Sequence, residues 1–338
     1  MIPNDKQVRK GDIMSTPFIQ TIILILGFIV LIKGADYFVE GASSIAKHLN
    51  VPDILIGLTI VAFGTSAPEA AVSIKAMITH NSDIVLGNVI GSNILNILLI
   101  LGISACIGAI KVQNDTIKKE IPFLFLVSLL MSILFLDKSF QSGEINMISR
   151  GDGFVILIFF AVFIFYLVQL AKNGQSEEVE AKYSFKAACI YTAFGLIAII
   201  IGGNFVVDAS TKIAVFMGIS QRFIALTIVA FGTSLPELVT SVIAAQKGKQ
   251  DLAIGNIIGS NIFNICFVIG VPSALFGHII PKDAIGLDLM VMIFATVVLY
   301  IFSKSERTIS KNEGRLFLIM FVIYYGYLIL TQMSILPT

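Results

Sequence analysis

Two glutamates, Glu69 and Glu237, stand in runs that are otherwise apolar or small, and the runs are near copies of each other. The first reads LTIVAFGTSAPEAAVS and continues, after a short polar break, as DIVLGNVIGSNILNILLILG. The second reads LTIVAFGTSLPELVTS and then DLAIGNIIGSNIFNICFVIG. The offset is 168 residues, and 24 of the 46 positions from Gly57 to Gly102 are identical to their partners. A carboxylate at bilayer depth is costly and by default marks an ion or proton pathway. Spacing places Thr65 and Ser66 one helical turn before Glu69, and Thr233 and Ser234 one turn before Glu237. In the runs that follow, Ser92 and Asn96 are again i,i+4, as are Ser260 and Asn264. Pro68 and Pro236 remove backbone donors and break the helix, so carbonyls around Ala62 to Thr65 are expected to become free ligands. Carboxylate, hydroxyl, amide and carbonyl oxygens without thiolate or imidazole form a hard-cation donor set suited to Na⁺ or Ca²⁺.

The composition sets the class of chain that must position these residues. Hydrophobic residues make up 56% of the 338 and charged residues 13%, with a mean hydropathy of +0.91. A soluble core of this length cannot hide that much apolar sequence. The expected partner is therefore the lipid bilayer, and with a net charge of +1 nothing points to a nucleic-acid partner. Cys106, Cys189 and Cys266 lie in apolar runs and read as packing residues, not as a disulfide framework. The first apolar run is too long for a cleaved signal peptide and is read as a retained span.

Apolar runs of about 20 residues, each able to cross ~30 Å of hydrocarbon, are expected at Pro17–Ala46, Pro52–Thr79, Asp83–Gly108, Glu120–Leu136 and Gly153–Ala171. After a polar linker the pattern returns at Phe185–Phe216, Ser220–Gln246, Asp251–Phe276, Ala284–Phe302 and Leu316–Thr331. The expected fold is thus an all-α polytopic membrane protein of ten helices in two repeats of five. Its organisation is a tail at 1–16, repeats at 17–171 and 185–338, and a cytoplasmic linker at 172–184. Five is odd, so the second copy enters from the opposite side and the repeats have inverted topology. With the N-terminus outside, 13 Lys and Arg fall on the inner side and nine on the outer, which places both termini extracytoplasmically.

Several polar residues have simpler roles. Gly64, Gly87, Gly91, Gly232, Gly255 and Gly259 read as close-packing positions. Asn88, Asn93, Asn256 and Asn261 read as hydrogen-bond glue between helices. Lys33 and Asp36 read as a local i,i+3 pair. His48, His80 and His278 sit near loops and are given no chemistry.

At GTSAPE (Gly64–Glu69), GTSLPE (Gly232–Glu237) and the following GNVIGSNILN and GNIIGSNIFN, the chain resembles the cation/Ca²⁺ antiporter superfamily, specifically prokaryotic sodium/calcium exchangers. The resemblance covers both halves. It implies a transporter of the inner or plasma membrane, not an enzyme, with alternating access and no cofactor beyond the transported Ca²⁺ and Na⁺. It also implies that the long first and sixth helices slide past the other eight. By motif position, the shared cation ligands would be Glu69, Glu237, Thr65, Ser66, Thr233, Ser234, Ser92, Asn96, Ser260 and Asn264. The carbonyls of Ala62 and Ala230 would serve Na⁺ subsites. Some members carry aspartate where this chain has Asn264, so a third site carboxylate is absent. The short linker leaves no room for the Ca²⁺-sensing domains of animal exchangers, and no obligate protein partner is evident. Proton-driven or K⁺-dependent antiport would keep the same fold, and a cation channel would need no duplicated site. No HExxH motif is present and no histidine lies at membrane depth, which speaks against an intramembrane enzyme.

Overall fold

A computed structural model describes residues 10–79, 82–136, 145–173, 181–217, 230–281 and 285–332. The elements among these residues are helices, apart from two short strand pairings at the faces, joined by turns and irregular loops. The first half comprises α1 (Lys10–His48), α2 (Asp53–Thr65), α3 (Ala67–Ile78), α4 (Ile84–Ile107), α5 (Ile121–Phe135) and α6 (Arg150–Asn173). The second comprises α7 (Phe185–Phe216), α8 (Ala230–Thr233), α9 (Leu235–Gln246), α10 (Gln250–Phe276), α11 (Gly286–Ser305) and α12 (Lys311–Gln332).

The chain forms a multi-pass membrane protein. Seven of the described helices are long and apolar enough to cross a bilayer, and α2 with α3 makes an eighth candidate, bent by 44°. The expected fourth span is a shorter helix of 15 residues, α5, entered through a π-helical turn at Thr116–Glu120. The expected seventh span lies partly outside the described residues and leaves α8 and α9 as its described parts.

The sequence of α10 buries 94% of its most apolar window and α4 72%, against 17% for α6 and α12. The two helices carrying the GSN motifs are therefore central, and large apolar residues such as Phe18, Phe165 and Ile323 face outward as lipid-facing surface. Small residues set the close contacts. A Cβ on Gly57 would lie 2.8 Å from the carbonyl of Leu252, and one on Gly259 2.7 Å from Cβ of Ala62. Only glycine lets α2 and α10 approach so closely.

The long helices α1 and α7 run antiparallel along a seam of small residues. Gly27 meets Phe205 and Val206, Gly34 meets Ala198 and Ile199, and Gly41 meets Thr192. From the other side, a Cβ on Gly195 would lie 2.5 Å from the amide nitrogen of Phe38, and one on Gly202 2.6 Å from that of Leu31.

The loops gather on two faces. On one, β1 (Ile110–Lys111) pairs antiparallel with β2 (Thr308–Ile309), Gln113 donates to Asp251 at 2.5 Å, and His48 Nε2 meets the carbonyl of Tyr183 at 2.7 Å. On the other, Ile148 bridges Ile279 and Ser82 meets Ile280. Asp36 does not pair with Lys33 as its spacing suggests. It reaches Lys247 at 2.5 Å, and Glu40 reaches Lys247 at 2.8 Å and Lys249 at 3.2 Å. The reason is direction: a partner on the α9–α10 turn lies within reach while α1 packs against the core. The three cysteines are free.

Candidate cation-binding site

The helix break fixes the site. Ser66, at φ −84° and ψ 4°, separates α2 from α3, and Ala67 and Pro68 open the new helix. Proline fits a first turn, where its missing N–H is an orphan in any case. Glu69 then falls in the first turn of α3, where the helix dipole favours an anion. Ser234, with nearly the same dihedrals, places Glu237 likewise at the start of α9. Because the chain bends at the serine, i,i+3 and i,i+4 geometry does not carry across it. The expected grouping of Ser66 with Glu69 is therefore corrected: Ser66 Oγ donates to Oε1 of Glu237 at 3.0 Å, in the other half. The hydroxyl of Thr65 donates to Oδ1 of Asn256 at 3.1 Å and lies 3.4 Å from Ser260 Oγ. Thr233 in turn neighbours the carboxylate of Glu69.

Ser92 donates to Oε1 of Glu69 at 3.5 Å, and Ser234 donates to Ser92 at 3.3 Å. Glu69 and Glu237 are both buried and close enough to interact directly through their charges. The break frees fewer carbonyls than expected. The Ala62 oxygen still accepts the N–H of Ser66 at 3.0 Å, with the hydroxyls of Thr65 and Ser260 at 3.4 and 3.5 Å. The carbonyl that loses its donor to Pro68 is that of Gly64, four residues earlier. Ala230 stands at the start of α8, and its side chain lies outside the described residues.

The four asparagines expected to act as glue hold the framework. Asn88 donates to the backbone carbonyl of Glu69 at 3.2 Å and to Ser73 Oγ at 3.1 Å, and Asn256 does the same for Glu237 and Ser241 at 3.5 and 2.8 Å. Asn93 donates to the carbonyl of Asn261 at 3.2 Å, and Asn261 to that of Asn93 at 3.4 Å. Asn96 donates to Oδ1 of Asn261 at 2.8 Å, and Asn264 to Oδ1 of Asn93 at 3.2 Å. Spacing does not single out Ser73 and Ser241, although they are identical across the repeat and stand four residues after each glutamate.

These commitments leave four buried oxygens at the centre without a hydrogen-bond partner among the described residues: Oε2 of Glu69, Oε2 of Glu237, Oδ1 of Asn96 and Oδ1 of Asn264. They form two pairs, each related by the 168-residue offset. Buried acceptors with no donor are destabilising unless something positive meets them. Two carboxylates and two amide oxygens fit a dehydrated hard cation. Among the described residues no group of three or more His, Cys, Asp or Glu could hold a metal, so the donors are mostly neutral oxygens around two charges. Both π-helical turns of the central helices, Leu95–Leu101 and Asn264–Ile269, begin beside Asn96 and Asn264. Such wide turns recur at functional sites because they re-aim neighbouring side chains.

A family model described as sodium/calcium exchanger protein matches residues 19–169 and 187–330. The protein CaxA of Alkalimonas amylolytica is 39% identical over 326 residues, which cover 93% of this chain and 99% of that one. Sodium/calcium exchanger MaX1 of Methanosarcina acetivorans is 33% identical over 341 residues, covering 90% and 96%. A solved structure of the sodium-calcium exchanger NCX_Mj, soaked with Na⁺ and Sr²⁺, superposes with a TM-score of 0.79 at 36% identity and covers 92% of this chain and 99% of its own.

Proposed function

The chain belongs to the sodium/calcium exchanger protein family, and from that premise we propose that it is a sodium/calcium antiporter whose two ions compete for one cage. The observation that carries this reading is the set of four unpartnered oxygens on Glu69, Glu237, Asn96 and Asn264. Ca²⁺ takes six to eight oxygens, and two carboxylates neutralise its charge. The hydroxyls of Thr65, Ser66, Ser92, Thr233, Ser234 and Ser260, with the carbonyls of Ala62 and Ala230, complete subsites that Na⁺ occupies in its turn. Because the ligands are shared, Ca²⁺ and Na⁺ exclude each other and their fluxes are coupled. Binding at the centre of broken helices is the arrangement in which alternating access works.

Ten spans in two inverted repeats of five, at 17–171 and 185–338 with the linker at 172–184, account for the grouping of the loops. Residues of the loops after the first, third, seventh and ninth spans and of the linker meet on one face, and residues of the loops after the second, fourth and eighth meet on the other. That alternation is what parity demands. The reciprocal bonds of Asn93 and Asn261 are those of a pseudo-two-fold axis through the cage. The face richer in Lys and Arg is cytoplasmic, both termini are extracytoplasmic, and in the cell membrane Na⁺ entry drives Ca²⁺ out. The pair α1–α7 slides against the core as the moving body.

The test is ⁴⁵Ca²⁺ uptake into proteoliposomes preloaded with Na⁺, with K⁺, or with a proton gradient. Uptake is expected only with internal Na⁺ and is expected to vanish in Glu69→Gln and in Glu237→Gln. Uptake driven by the proton gradient without Na⁺ would reject Na⁺ as the driving ion, and flux without any counter-ion would reject antiport.

A further inference from the structure

A second carboxylate site lies away from the cage, on the face that gathers β1 and β2. A cavity of about 410 Å³ opens there between the start of α2, the π-helical turn before α5 and the end of α6. Its polar lining includes Gln113, Asp115, Thr116, Glu120, Tyr166 and Gln169. Glu120 is 1% exposed and accepts a hydrogen bond from the hydroxyl of Tyr166, yet its other oxygen, Oε2, has no partner among the described residues.

The bond to tyrosine alone is architectural. The residue 168 positions on is Asp288, and it too accepts from a tyrosine, Tyr324, at 2.7 Å. What sets Glu120 apart is that its second oxygen is buried without a partner among the described residues and that the residue lines a cavity. Such an acceptor is costly unless a cation meets it. Other acceptors converge on the same cavity. Gln113 commits its amide nitrogen to Asp251 at 2.5 Å, which leaves its amide oxygen to accept. Asp115 pairs with Lys119 at 2.6 Å, one turn along, and both side chains are 52% exposed. A pair so exposed is weak and readily exchanged for a stronger cation.

We propose that this cavity is a second divalent-cation site, in which Ca²⁺ is bound by Glu120 and Asp115 with the amide oxygens of Gln113 and Gln169 and the hydroxyl of Thr116. The donors are hard oxygens, five of them from the protein in an irregular set that water completes, which suits the six to eight flexible positions of Ca²⁺ better than the strict octahedron of Mg²⁺, an ion that gives up its own water reluctantly. Pro52 and Ile54, at the start of α2, form part of its wall. The far end of α2 carries Thr65, one residue before Ser66. An ion here therefore bears on the helix that ends in the cage, and its role is regulatory. That role rests on the transport reading, whereas the site itself does not, because it shares no ligand with the cage.

The test uses the full chain carrying Glu69→Gln and Glu237→Gln, which removes both cage carboxylates, with Tb³⁺ as a luminescent stand-in for Ca²⁺ excited through tyrosine. Tb³⁺ emission displaced by Ca²⁺ is expected to persist, and adding Glu120→Gln or Asp115→Asn should weaken Tb³⁺ binding at least about tenfold. Absence of Ca²⁺-displaceable emission, or emission indifferent to both substitutions, overturns the proposal. As a second measurement with the cage intact, equilibrium ⁴⁵Ca²⁺ binding without Na⁺ should fall by one ion per chain in Asp115→Asn, a surface change the fold tolerates. An unchanged stoichiometry likewise overturns it.

Discussion

The hydroxyl of Ser66, in the first half, is hydrogen-bonded at 3.0 Å to the carboxylate of Glu237, in the second. The first half thus holds a carboxylate of the second, and the break at Ser66 directs the side chain across the interface.

On the proposed reading Ser66 orients a cation ligand, and its loss should be graded. Ser66→Ala removes one hydrogen bond to a carboxylate, worth about 1.5–3 kcal/mol. Ca²⁺ affinity in Na⁺-driven uptake is expected to fall roughly 10- to 100-fold, whereas Ser73→Ala, whose hydroxyl accepts from Asn88 and not from a carboxylate, should leave it within about threefold. Competition uptake assays on the two variants separate these outcomes.

Glycine substitutions in α7 should divide by position. A methyl on Gly195 would lie 2.5 Å from the backbone of Phe38, whereas one on Gly203 meets nothing within 4 Å among the described residues. Alanine is favoured over glycine in a helix by about 1 kcal/mol. Gly203→Ala is therefore expected to hold or raise the melting temperature in detergent, and Gly195→Ala to lower it and slow exchange.

Asn264→Asp tests the missing third carboxylate. The amide of Asn264 donates to Oδ1 of Asn93 at 3.2 Å, a bond that an ionised aspartate cannot make. The variant should fold but acquire an added ionisation in the pH profile of Ca²⁺ uptake, with activity rising as the new group loses its proton. A profile superimposable on that of the native protein would contradict this.

Lys247 offers a pH control. Partial burial disfavours its charge, but hydrogen bonds to Asp36 and Glu40 outweigh this and hold its pKa above the usual 10.5. A raised pKa contributes stability that is fully present below the unfolded value and lost only as the pH climbs through the folded one. Lys247→Met should therefore cost a similar amount, about 1 kcal/mol, at pH 6 and at pH 9. Thermal melts at both values check it, and a cost confined to one of them would count against the ion pairs.

Much of this arrangement is legible in the sequence. The 168-residue repeat singles out Glu69 and Glu237, and the spacing of Ser92 with Asn96 and of Ser260 with Asn264 places them on the central helices. The glue role of Asn88, Asn93, Asn256 and Asn261 is visible in their bonds. What spacing does not reveal is anything downstream of a departure from 3.6 residues per turn. At Ser66 the helix bends, so Thr65 and Ser66 leave the face of Glu69. At Leu95–Leu101 and Asn264–Ile269 it widens, and no residue type announces such a turn. Long-range partners are equally silent: Asp36 has Lys33 three residues away in sequence but pairs with Lys247, more than 200 residues on.

The seam between α1 and α7 has a consequence for leakage. At Gly34, Gly41, Gly195 and Gly202 the facing backbone comes so near that the glycine has no room for a side chain of its own. Two rods bonded so closely cannot bend apart at one end while staying joined at the other. On the proposed mechanism, a push delivered at one side of the membrane is felt at the opposite side in the same movement, as with a stiff lever. Opening both sides together would require the lever to split, and the missing methyl groups are what keep it whole.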